Sequence, residues 1–490
     1  MTEKYHILIV EDDETVRKNC IGELEKNEDY LLAEATNGKE ALMIMEKIVP
    51  DILICHMKMP EMGAMELYKC LKVDPCSAYS EVYFIVTARV EEKEDVFQLM
   101  HEGADDYLIR PIDPRELEAK LRVGKRVTAK IKKVKFEQQM IFSQFDVLLL
   151  QDGGCAPGYN PVTAFITHYL ENQGREIYAS REGFKSLVSG QDDDFLRLVY
   201  DPVLYKKLDH IPGVYHTAPL SEMRGAQLRS ERYREFKDTT IVEKAAGVIQ
   251  KKNVKSIIAV GGNGTFKGLW SLCQLMPTSI QAFFIPVTID SDVYGTDCIG
   301  QHTGIEVGSE KIRSYMADAR THKRVYIIEM MGAQGGFHAL HSCLGARAHL
   351  AVLPNSVIDY RKVAESINRR PECVIVVAEG YKKEERETKE IKMNAAEYFY
   401  EGVKETGIKI NKRVVCEPFS RDIRGAAPNN QDITLAQRMA YNVVSYLSAG
   451  TSRLMPAVLS GREHVIPFHM IKTDNEVPDD LLALSNRLTK

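Results

Sequence analysis

The stretch VLLLQDGGCAPGYN occupies residues 147–160 and joins a short apolar run to a glycine-rich turn. The stretch SIIAVGGNGT at residues 256–265 has the same form. An apolar run of strand length, a glycine turn and a following helical pattern are typical of a parallel α/β sheet. Glycines at the end of a strand let backbone N–H groups approach a phosphate, and the dipole of the next helix favours negative charge there. Two such turns in one α/β region therefore predict a phosphate-binding site.

Two carboxylates follow a third strand-like run, QAFFIPV at residues 281–287. Asp290 and Asp292 stand two residues apart in the segment TIDSD. At the C-terminal edge of a strand, such a pair suits a general base beside a metal contact. The same residues would also fit a solvated loop that caps a helix. The two glycine turns nearby favour the functional interpretation.

The composition is that of a globular protein with more than one domain. The chain has 490 residues, 44% of them hydrophobic and 27% charged, and at about 150 residues per domain this length corresponds to roughly two to four domains. Its net charge of -5 argues against a polycation built for nucleic acid. No apolar run approaches the ~18 residues of a membrane span, and the N-terminus carries no signal-peptide pattern. The ten cysteines form no CxxC pair, which predicts a cytoplasmic protein without a structural zinc site.

Short apolar runs alternate with amphipathic helical patterns from the N-terminus to about residue 120. The runs are YHILIV (5–10), DILICH (51–56), EVYFIVTA (81–88) and DDYLIRPI (105–112). This alternation predicts a doubly wound parallel sheet in one small α/β domain.

Residues 5–122 resemble the receiver domain of response regulators, which implies a flavodoxin-like α/β fold. The matching residues appear in the family's order: Glu11, Asp12, Met59, Pro60, Thr87, Tyr107, Arg110 and Pro111. The resemblance implies that Glu11 and Asp12 are the acidic metal-binding pair and that Thr87 is the switch hydroxyl. We therefore assign residues 1–122 to a receiver-like domain.

Two positions depart from the receiver pattern. His56 stands where the family has its phosphoacceptor aspartate, and Arg110 stands where it has a lysine. A histidine cannot form the acyl phosphate that a carboxylate forms, and it removes a negative charge from the metal site, so Mg2+ should bind weakly. We expect a pseudo-receiver that serves as a docking or dimerisation module and contacts a signalling partner. The alternative is a phospho-switch that uses phosphohistidine, as in a phosphorelay.

Residues 113–143 are predicted to form one long basic helix that links the two regions. The residues of one stripe recur at gaps of three and four: Leu117, Leu121, Gly124, Val127, Ile131, Val134, Gln138 and Ile141. The stripe fits either a coiled coil between two protomers or the last helix of the first domain running on against its neighbour. Lysines and arginines lie between the stripe residues, and such a basic face is more often a solvated surface than a nucleic-acid site.

The region from about residue 145 to 470 resembles the phosphofructokinase family, on the motifs GGCAPG, RY, GGNGT and TIDSD. The resemblance implies a two-lobed, Rossmann-like α/β region, assigned to residues 144–490, that binds ATP, Mg2+ and a sugar phosphate. The nucleotide-binding residues that it implies are Gly154, Arg232, Tyr233, Gly262, Asn263, Gly264 and Thr265. The sugar-phosphate residues that it implies are Arg324, Met331, Gly332, Glu379, Arg413, Arg421 and Arg424.

The same resemblance implies the catalytic residues. Asp290 is the candidate base that deprotonates the sugar hydroxyl, Asp292 is its acidic neighbour, and Thr288 lies beside the transferred phosphoryl group. Asn263 and Asp292 are the expected metal contacts. Mg2+ should bind weakly here, because Asn263 replaces the charged aspartate of the family's GGDGS loop.

Further departures concern the first loop, the sugar side and the donor. Cys155 replaces an aspartate, Ala333 an arginine, and Arg421 a histidine of the family pattern. The family's effector-site arginines are missing from the helix after the first loop, which argues against control by ADP or phosphoenolpyruvate. Gly264 and Val287 stand where pyrophosphate-dependent relatives carry Asp and Lys, which favours ATP as the phosphoryl donor.

Three hypotheses follow for the larger region. The first is ATP-dependent phosphoryl transfer to a sugar phosphate, with fructose 6-phosphate as the expected substrate. The second is a catalytically inactive sensor that binds nucleotide or sugar phosphate and reports through the receiver-like domain. The third is a structural scaffold, against which the retained acidic and basic site residues argue. Because Arg324 and Arg413 match arginines that the family contributes from a neighbouring subunit, we expect a homodimer or homotetramer.

Overall fold

The computed structural model describes residues 4–72, 78–333, 335–418, 421–473, 477 and 483. The chain divides into two compact units, Met1–Gln139 and Met140–Lys490. No helix in these described ranges has the length and apolar character that a membrane span requires.

The first unit is built on a parallel sheet. Its strands are β1 (Tyr5–Val10), β2 (Tyr30–Ala35), β3 (Ile52–His56), β4 (Tyr83–Ala88) and β5 (Asp106–Ile109). They lie in the order β2-β1-β3-β4-β5, and every residue of β3 and β4 is buried. A strand covered by helices on both faces favours apolar side chains at nearly every position, which explains the continuous apolar runs in the sequence. The predicted doubly wound sheet is confirmed.

Helices cover this sheet: α1 (Glu14–Leu24), α2 (Gly38–Met45), α3 (Ala64–Lys72), α4 (Lys93–Glu102) and α5 (Pro114–Ile141). At the start of α1, Asp13 accepts hydrogen bonds from backbone N–H groups of the first turn. In α5, Gly124 lies against the sheet: a Cβ there would lie 2.9 Å from side-chain atoms of Ile52 and Tyr83. The glycine therefore lets this part of α5 pack closely on β3 and β4 as a helix of the first unit.

The second unit contains a larger and a smaller sheet. The first strands of the larger sheet are β6 (Val147–Gln151), β7 (Ile177–Ser180), β8 (Phe195–Val199), β9 (Val214–His216), β10 (Ser256–Gly261) and β11 (Gln281–Pro286). The smaller sheet has β12 (Val325–Met330), β13 (Leu350–Val352), β14 (Cys373–Ala378) and β15 (Val414–Pro418). The chain then returns to the larger sheet through β16 (Leu454–Leu459) and β17 (Arg462–Pro467).

The strand order of the larger sheet is β17-β16-β11-β10-β6-β7-β8-β9, and that of the smaller sheet is β13-β14-β12-β15. The pairs β7–β8 and β16–β17 are antiparallel, and the other pairs are parallel. The connecting helices are α6 (Tyr159–Glu171), α7 (Phe184–Ser189), α8 (Pro202–Leu208), α9 (Thr239–Lys251), α10 (Asn263–Leu275), α11 (Gln301–His322), α12 (Phe337–Ala346), α13 (Tyr360–Arg369), α14 (Lys383–Thr388), α15 (Ala395–Glu405) and α16 (Asn430–Ser448).

One apolar core joins the two sheets of this unit. It contains Val260 of β10 and Ile285 of β11 from the larger sheet, and Ile328 of β12 and Val376 of β14 from the smaller one. Burying these side chains in a continuous core holds the two lobes together. The predicted two-lobed α/β region is confirmed. Where neighbouring strands are parallel, the loops that follow them lie at the same edge of the sheet.

Candidate functional site

Three neighbouring strands of the larger sheet end at the same edge. β6, β10 and β11 are parallel neighbours, and their register pairs Gln151 with Val260 and Gly261 with Pro286. The loops after these strands therefore leave the sheet side by side, which is where ligands bind in parallel α/β sheets. These loops carry both glycine turns and the TIDSD segment.

The three loops and a later turn enclose a cleft of about 480 Å³. Its lining includes all of the residues that the sequence predicts for nucleotide binding and catalysis: Gly154, Arg232, Tyr233, Gly262, Asn263, Gly264, Thr265, Thr288, Asp290 and Asp292. Arg424, predicted for the sugar side, also lines it. The structure thus brings these residues together, although they are spread over 271 positions of the chain, from 154 to 424.

The first glycine turn lies against two guanidinium groups. A Cβ on Gly154 would lie 3.0 Å from Arg424 Nη1 and 3.1 Å from Arg232 Nη2. Gly153, the residue before it, has a φ of 110°, which side-chain-bearing residues rarely adopt. The turn therefore presents bare backbone between two positive charges, a surface suited to a phosphate.

Arg424 is fixed to the same turn by reciprocal hydrogen bonds. Its Nη1 donates to the Cys155 carbonyl oxygen at 3.2 Å, and the Cys155 thiol donates to the Arg424 carbonyl oxygen at 3.2 Å. The Cys155 that replaces an aspartate of the family pattern thus helps to hold Arg424. The Arg424 charge is thus held beside the first glycine turn by a residue of that turn.

Asp290 is a buried carboxylate at the centre of the cleft. It is 7% exposed, its Oδ1 receives no hydrogen bond from any described residue, and Arg424 Nη2 lies 3.9 Å from that oxygen. Its own N–H donates to Thr288 Oγ1 at 3.0 Å. Burial raises the pKa of Asp290 to about 6, although the nearby Arg424 charge opposes the rise. The group can therefore accept a proton near neutral pH.

Asn263 and Asp292 face each other across the second glycine turn. Burial raises the pKa of Asp292, and hydrogen bonds from its own backbone and from the Asn263 side chain oppose the rise. Asn263 Nδ2 also donates to the Thr473 carbonyl oxygen at 3.3 Å. The side-chain NH2 group of Asn263 therefore acts as a hydrogen-bond donor. The aspartate that the family has at this position has no such donor group and carries a charge that can bind a cation.

Asp152, just before the first glycine turn, is a cleft residue that the sequence analysis did not single out. It is 7% exposed, and burial raises its pKa to about 7 while a hydrogen bond from Thr265 opposes the rise. Thr265 Oγ1 lies 3.3 Å from Asp152 Oδ2 and donates to the Asp152 carbonyl oxygen at 2.9 Å. Asp152 therefore adds a third carboxylate to the cleft. The only signal in the sequence was its place at the end of a buried strand.

Each of the three cleft carboxylates has one oxygen without a hydrogen-bond donor among the described residues. The Oδ1 atoms of Asp152, Asp290 and Asp292 are buried and lack a hydrogen-bond partner among the residues that the structure describes. Buried carboxylate oxygens without donors are costly unless a cation or proton satisfies them. This donor set fits a hard divalent cation such as Mg2+.

Aromatic side chains line part of the cleft. The rings of Phe184 and Phe236 stack on each other with centroids 4.1 Å apart, and a Cβ on Gly268 would lie 2.7 Å from the Phe184 ring. Phe184 and Phe236 are buried, whereas Tyr233, which lines the cleft together with Lys267, is half-buried. The accessible part of the Tyr233 ring could contact a flat ring system. Phe184, Phe236 and Lys267 escaped the sequence analysis because aromatic residues on short helices look like ordinary core residues.

The sugar-side residues divide into two groups, and the first lies near the cleft. Glu379 follows β14, and its Oε1 accepts a hydrogen bond from the Ala333 backbone N–H at 2.6 Å. Met331 and Gly332 follow β12, the neighbour of β14. These residues stand at the C-terminal edge of the smaller sheet, together with Ala333, which lines the cleft. Arg421, in the turn before Arg424, is exposed.

The second group lies at the other end of the same sheet. Arg324 immediately precedes β12, and the Val325 N–H donates to the Arg413 carbonyl oxygen at 3.0 Å. A strand of this length separates Arg324 from Met331 by about 20 Å. Within one chain, Arg324 and Arg413 therefore cannot act at the cleft, and Arg324 Nη1 lies 3.4 Å from Asp318 instead.

The receiver residues of the first unit also come together. Glu11, Asp12 and His56 each offer a ligand atom within 4.8 Å of the others. Arg110 Nη2 is hydrogen-bonded to Glu11 Oε2, and burial lowers the pKa of Arg110 to about 10. Thr87 lies directly opposite His56 in the register of β3 and β4. The predicted receiver site is thus one cluster at the C-terminal edge of this sheet.

Comparisons with known proteins agree with both regions. A family model for phosphofructokinase matches residues 146–447, and one for the response regulator receiver domain matches residues 7–122. The ATP-dependent 6-phosphofructokinase of Thermotoga neapolitana is 28% identical over 350 residues, 70% of this chain and 99% of that protein. The ATP-dependent 6-phosphofructokinase 1 of Thermus thermophilus is 27% identical over 344 residues, 69% and 97% of the two chains. The solved pyrophosphate-dependent phosphofructokinase of Nitrosospira multiformis shares the fold, with a TM-score of 0.54 at 19% identity over 69% of this chain and 86% of that one.

Proposed function

The chain belongs to the phosphofructokinase family, and we propose that residues 144–490, which lie within its larger unit, bind ATP and a sugar phosphate and have a weakened or conditional 6-phosphofructokinase activity. We expect fructose 6-phosphate as the sugar phosphate. The observation that carries the proposal is Asp290: its carboxylate is buried, has an unpartnered Oδ1 among the described residues, and lines the same cleft as both glycine turns. A carboxylate in this setting serves a reaction that must remove a proton.

The proposed reaction transfers one phosphoryl group. The sugar hydroxyl oxygen attacks the γ-phosphorus of ATP, the bond from that phosphorus to the bridging oxygen breaks, and ADP leaves. The hydroxyl proton goes to Asp290. Arg424 and Arg232 supply positive charge beside Gly154, where negative charge accumulates on the moving phosphoryl group.

The nucleotide side of the cleft supports ATP as the donor. The half-buried ring of Tyr233, in the lining of the cleft, offers a flat base a place to stack. Gly264 would meet nothing within 4 Å in the described chain if it carried a Cβ, so the turn leaves room for a nucleotide phosphate. Pyrophosphate alone would need neither that ring nor that space. Two of the similar proteins are ATP-dependent 6-phosphofructokinases, which agrees with this choice.

We propose that Mg2+ binds with the nucleotide, held by Asp292 and Asp152 and by the neutral oxygen of Asn263. The ion would neutralise phosphate charge during transfer. Asn263 contributes no charge and its Nδ2 donates to Thr473. The metal site is therefore weaker than one with a third carboxylate, which is why we propose a reduced or conditional activity.

The part of the site proposed to bind the sugar phosphate also has less positive charge than the family pattern. Ala333 has no positive side chain, and Glu379 accepts a hydrogen bond from the Ala333 backbone. Met331, Glu379 and Arg424 remain as proposed contacts to the sugar phosphate. Arg324 and Arg413 of a neighbouring subunit would complete the site, so we propose that the protein works as a homodimer or homotetramer.

A second candidate function is a catalytically inactive sensor of nucleotide or sugar phosphate. The observation that favours it is the pair of lost charges, at Asn263 and Ala333, combined with His56 in the receiver domain. In this version residues 1–122 form a pseudo-receiver that docks a signalling partner, and residues 113–143 connect it to the larger unit. Ligand binding without turnover separates this candidate from the first.

The deciding experiment is a coupled kinase assay with ATP, Mg2+ and fructose 6-phosphate. Asp290→Asn should lower kcat by ~10²–10⁴, while the exposed control Asp209→Asn should leave it unchanged. Since the base must be deprotonated and the pKa of Asp290 in the chain without ligands is about 6, kcat/KM of the wild type should fall as the pH decreases through 6. Turnover that survives Asp290→Asn would refute the role of Asp290. Sugar-phosphate binding without turnover in any variant would favour the sensor.

A further inference from the structure

We propose that Glu11, Asp12 and His56 in the receiver domain bind a divalent first-row transition-metal ion, such as Mn2+, Co2+ or Zn2+, in preference to Mg2+. This site is separate from the catalytic cleft and does not depend on the proposed kinase activity. It would make the receiver domain a metal-binding module in place of a phosphorylation switch.

The first support is geometric. One ligand atom from each of the three residues lies within 4.8 Å of the other two, which is the spacing of groups around one ion. Glu11 and His56 are 3% and 1% exposed, while Asp12 is exposed. Two ligands are therefore fixed by the protein interior, and the third lies on the side from which an ion enters.

The second support is the protonation of the imidazole. His56 Nδ1 lies 2.9 Å from the Thr87 carbonyl oxygen. A carbonyl oxygen can only accept, so Nδ1 carries a hydrogen, and Nε2 is the ring nitrogen that can offer a lone pair to an ion. Metal-binding histidines are usually oriented by such a bond from the other ring nitrogen. The bond from Nδ1 therefore orients His56 as a ligand through Nε2.

A third observation lies beside the imidazole. Thr87, paired with His56 in the strand register, is 2% exposed. Its Oγ1 has no hydrogen-bond partner within the described part of the chain. Buried hydroxyl groups are rarely left unsatisfied. A water molecule on a bound ion would supply the missing partner.

Charge decides which ion is preferred. Glu11 and Asp12 contribute two negative charges, and Arg110, which is hydrogen-bonded to Glu11, offsets one of them. An imidazole that binds an ion through Nε2 contributes none. Mg2+ depends on charged oxygen ligands, so the remaining charge holds it poorly. Imidazole nitrogen suits Zn2+, and the affinity of mixed nitrogen and oxygen sites rises along the first-row series from Mn2+ through Co2+, so these ions gain from His56 what Mg2+ cannot.

The test uses Mn2+ and the full-length chain, because Mn2+ binds thiols weakly and the chain has ten cysteines. Electron spin-echo spectra of bound Mn2+ should show coupling to an imidazole nitrogen. Mn2+ in the catalytic cleft would not give this signal, since the described lining of the cleft includes no histidine. The coupling should vanish in His56→Ala and persist in His101→Ala, which removes an exposed histidine of the same unit.

Affinity supplies the second readout. Asp12→Asn, a change at an exposed position, should weaken the nitrogen-coupled Mn2+ by at least about tenfold, and this variant keeps the test decisive if His56→Ala does not fold. A 100-fold excess of Mg2+ should not displace this Mn2+ from the wild type but should displace Mn2+ from the receiver site of His56→Asp. The proposal is overturned if wild-type chain shows no nitrogen coupling, if the coupling survives His56→Ala or is unaffected by Asp12→Asn, or if Mg2+ displaces the wild-type ion readily.

Discussion

Arg424 Nη2 lies 3.9 Å from Asp290 Oδ1, while Nη1 of the same guanidinium donates to the Cys155 carbonyl oxygen at 3.2 Å. The separation from Asp290 exceeds a hydrogen bond, so Arg424 compensates the buried carboxylate only in part. Desolvation therefore dominates, and the pKa of Asp290 rises to about 6. Arg424 thus contacts the first glycine turn and lies near Asp290 without forming a hydrogen bond to the Asp290 carboxylate.

The first prediction concerns the stability of the larger unit. Above pH 6 the folded chain holds Asp290 as a buried charge, whereas the unfolded chain ionises it in water near its ordinary pKa of 3.8. That difference costs about 3 kcal/mol at pH 8, shrinks as the pH falls from 6 to 4, and disappears well below 3.8, where the carboxyl is protonated in both states. Asp290→Asn should therefore raise the free energy of unfolding by up to about 3 kcal/mol at pH 8 and by little at pH 4.

Fluorescence of Trp270, the single tryptophan of the chain, can follow this unfolding in urea. Trp270 packs beside Phe266 in the core of the larger unit, so it reports on that unit. Asp209→Asn, at an exposed position, is the matched control and should shift nothing. An unfolding free energy that Asp290→Asn lowers at pH 8 would show that the carboxylate is well compensated and contradict the argument.

The second prediction concerns Asp152 and metal-free nucleotide. The pKa of Asp152 is raised to about 7 by burial, so the group gains its negative charge between pH 6 and 8. That charge repels the phosphates of ATP, and the affinity for ATP in EDTA should fall about five- to tenfold over this interval. Asp152→Asn should remove most of this pH dependence. In the wild type with Mg2+, the affinity for ATP should instead rise between pH 6 and 8, because the ionised Asp152 then binds the ion. Calorimetric titration checks both; the same pH dependence in Asp152→Asn would exclude Asp152 as its source.

The third prediction concerns the altered glycine turn. Asn263→Asp places a second carboxylate beside Asp292, whose pKa burial already raises. Without metal the two charges should repel and lower the urea midpoint; with Mg2+ they should bind the ion, because a unit charge near a divalent cation is worth a few kcal/mol. We expect Mg2+·ATP to bind at least about tenfold more tightly. Asn253→Asp, in an exposed turn, is the control. Equal Mg2+·ATP affinity in both variants would show that residue 263 does not contact the ion.

Much of the cleft was predictable because its glycine turns and its TIDSD segment follow three neighbouring parallel strands of the larger sheet, β6, β10 and β11. GGCAPG, GGNGT and TIDSD each end a buried strand, and parallel strands bring their C-terminal loops to one edge. The residue types in those loops then indicate the chemistry. No knowledge of side-chain packing was needed to expect Gly154 and Asp290 in the same cleft.

Other features depended on contacts that a sequence pattern does not contain. Asp152 looks like any polar residue at the end of a strand, and its burial arises only when Gly183 approaches it; a Cβ on Gly183 would lie 3.1 Å from Asp152 Oδ1. The family resemblance already assigned Arg324 and Arg413 to a neighbouring subunit, but it gave no physical reason. The structure supplies one, because Arg324 immediately precedes β12 whereas Glu379 follows β14 at the other end of the same sheet.

The fourth prediction concerns phosphorylation of the receiver domain. Acetyl phosphate with Mg2+ should leave the wild-type chain unlabelled, because His56 offers no carboxylate to form an acyl phosphate and its Nδ1 is engaged with the Thr87 carbonyl. His56→Asp restores the nucleophile and should acquire label, with Glu11→Gln in that background as the matched loss of a metal ligand. Radiolabel or mass spectrometry of residues 1–122 checks this. Stable label at His56 in the wild type would contradict it.

The fifth prediction concerns assembly. Arg324 and Arg413 lie about 20 Å along the sheet from the cleft side of their own chain, yet the proposed sugar-phosphate site needs them. A second copy must therefore supply them, and light scattering should show at least a dimer at micromolar concentration. Arg413→Ala and Asp290→Asn should each abolish most turnover. If the two variants are mixed in equal amounts after reversible dissociation, half of the dimers that form contain one copy of each variant. One of the two sites in such a dimer carries neither change, so about a quarter of the wild-type activity should return. A monomer, or no recovery on mixing, would show that a single chain binds the sugar phosphate without these arginines.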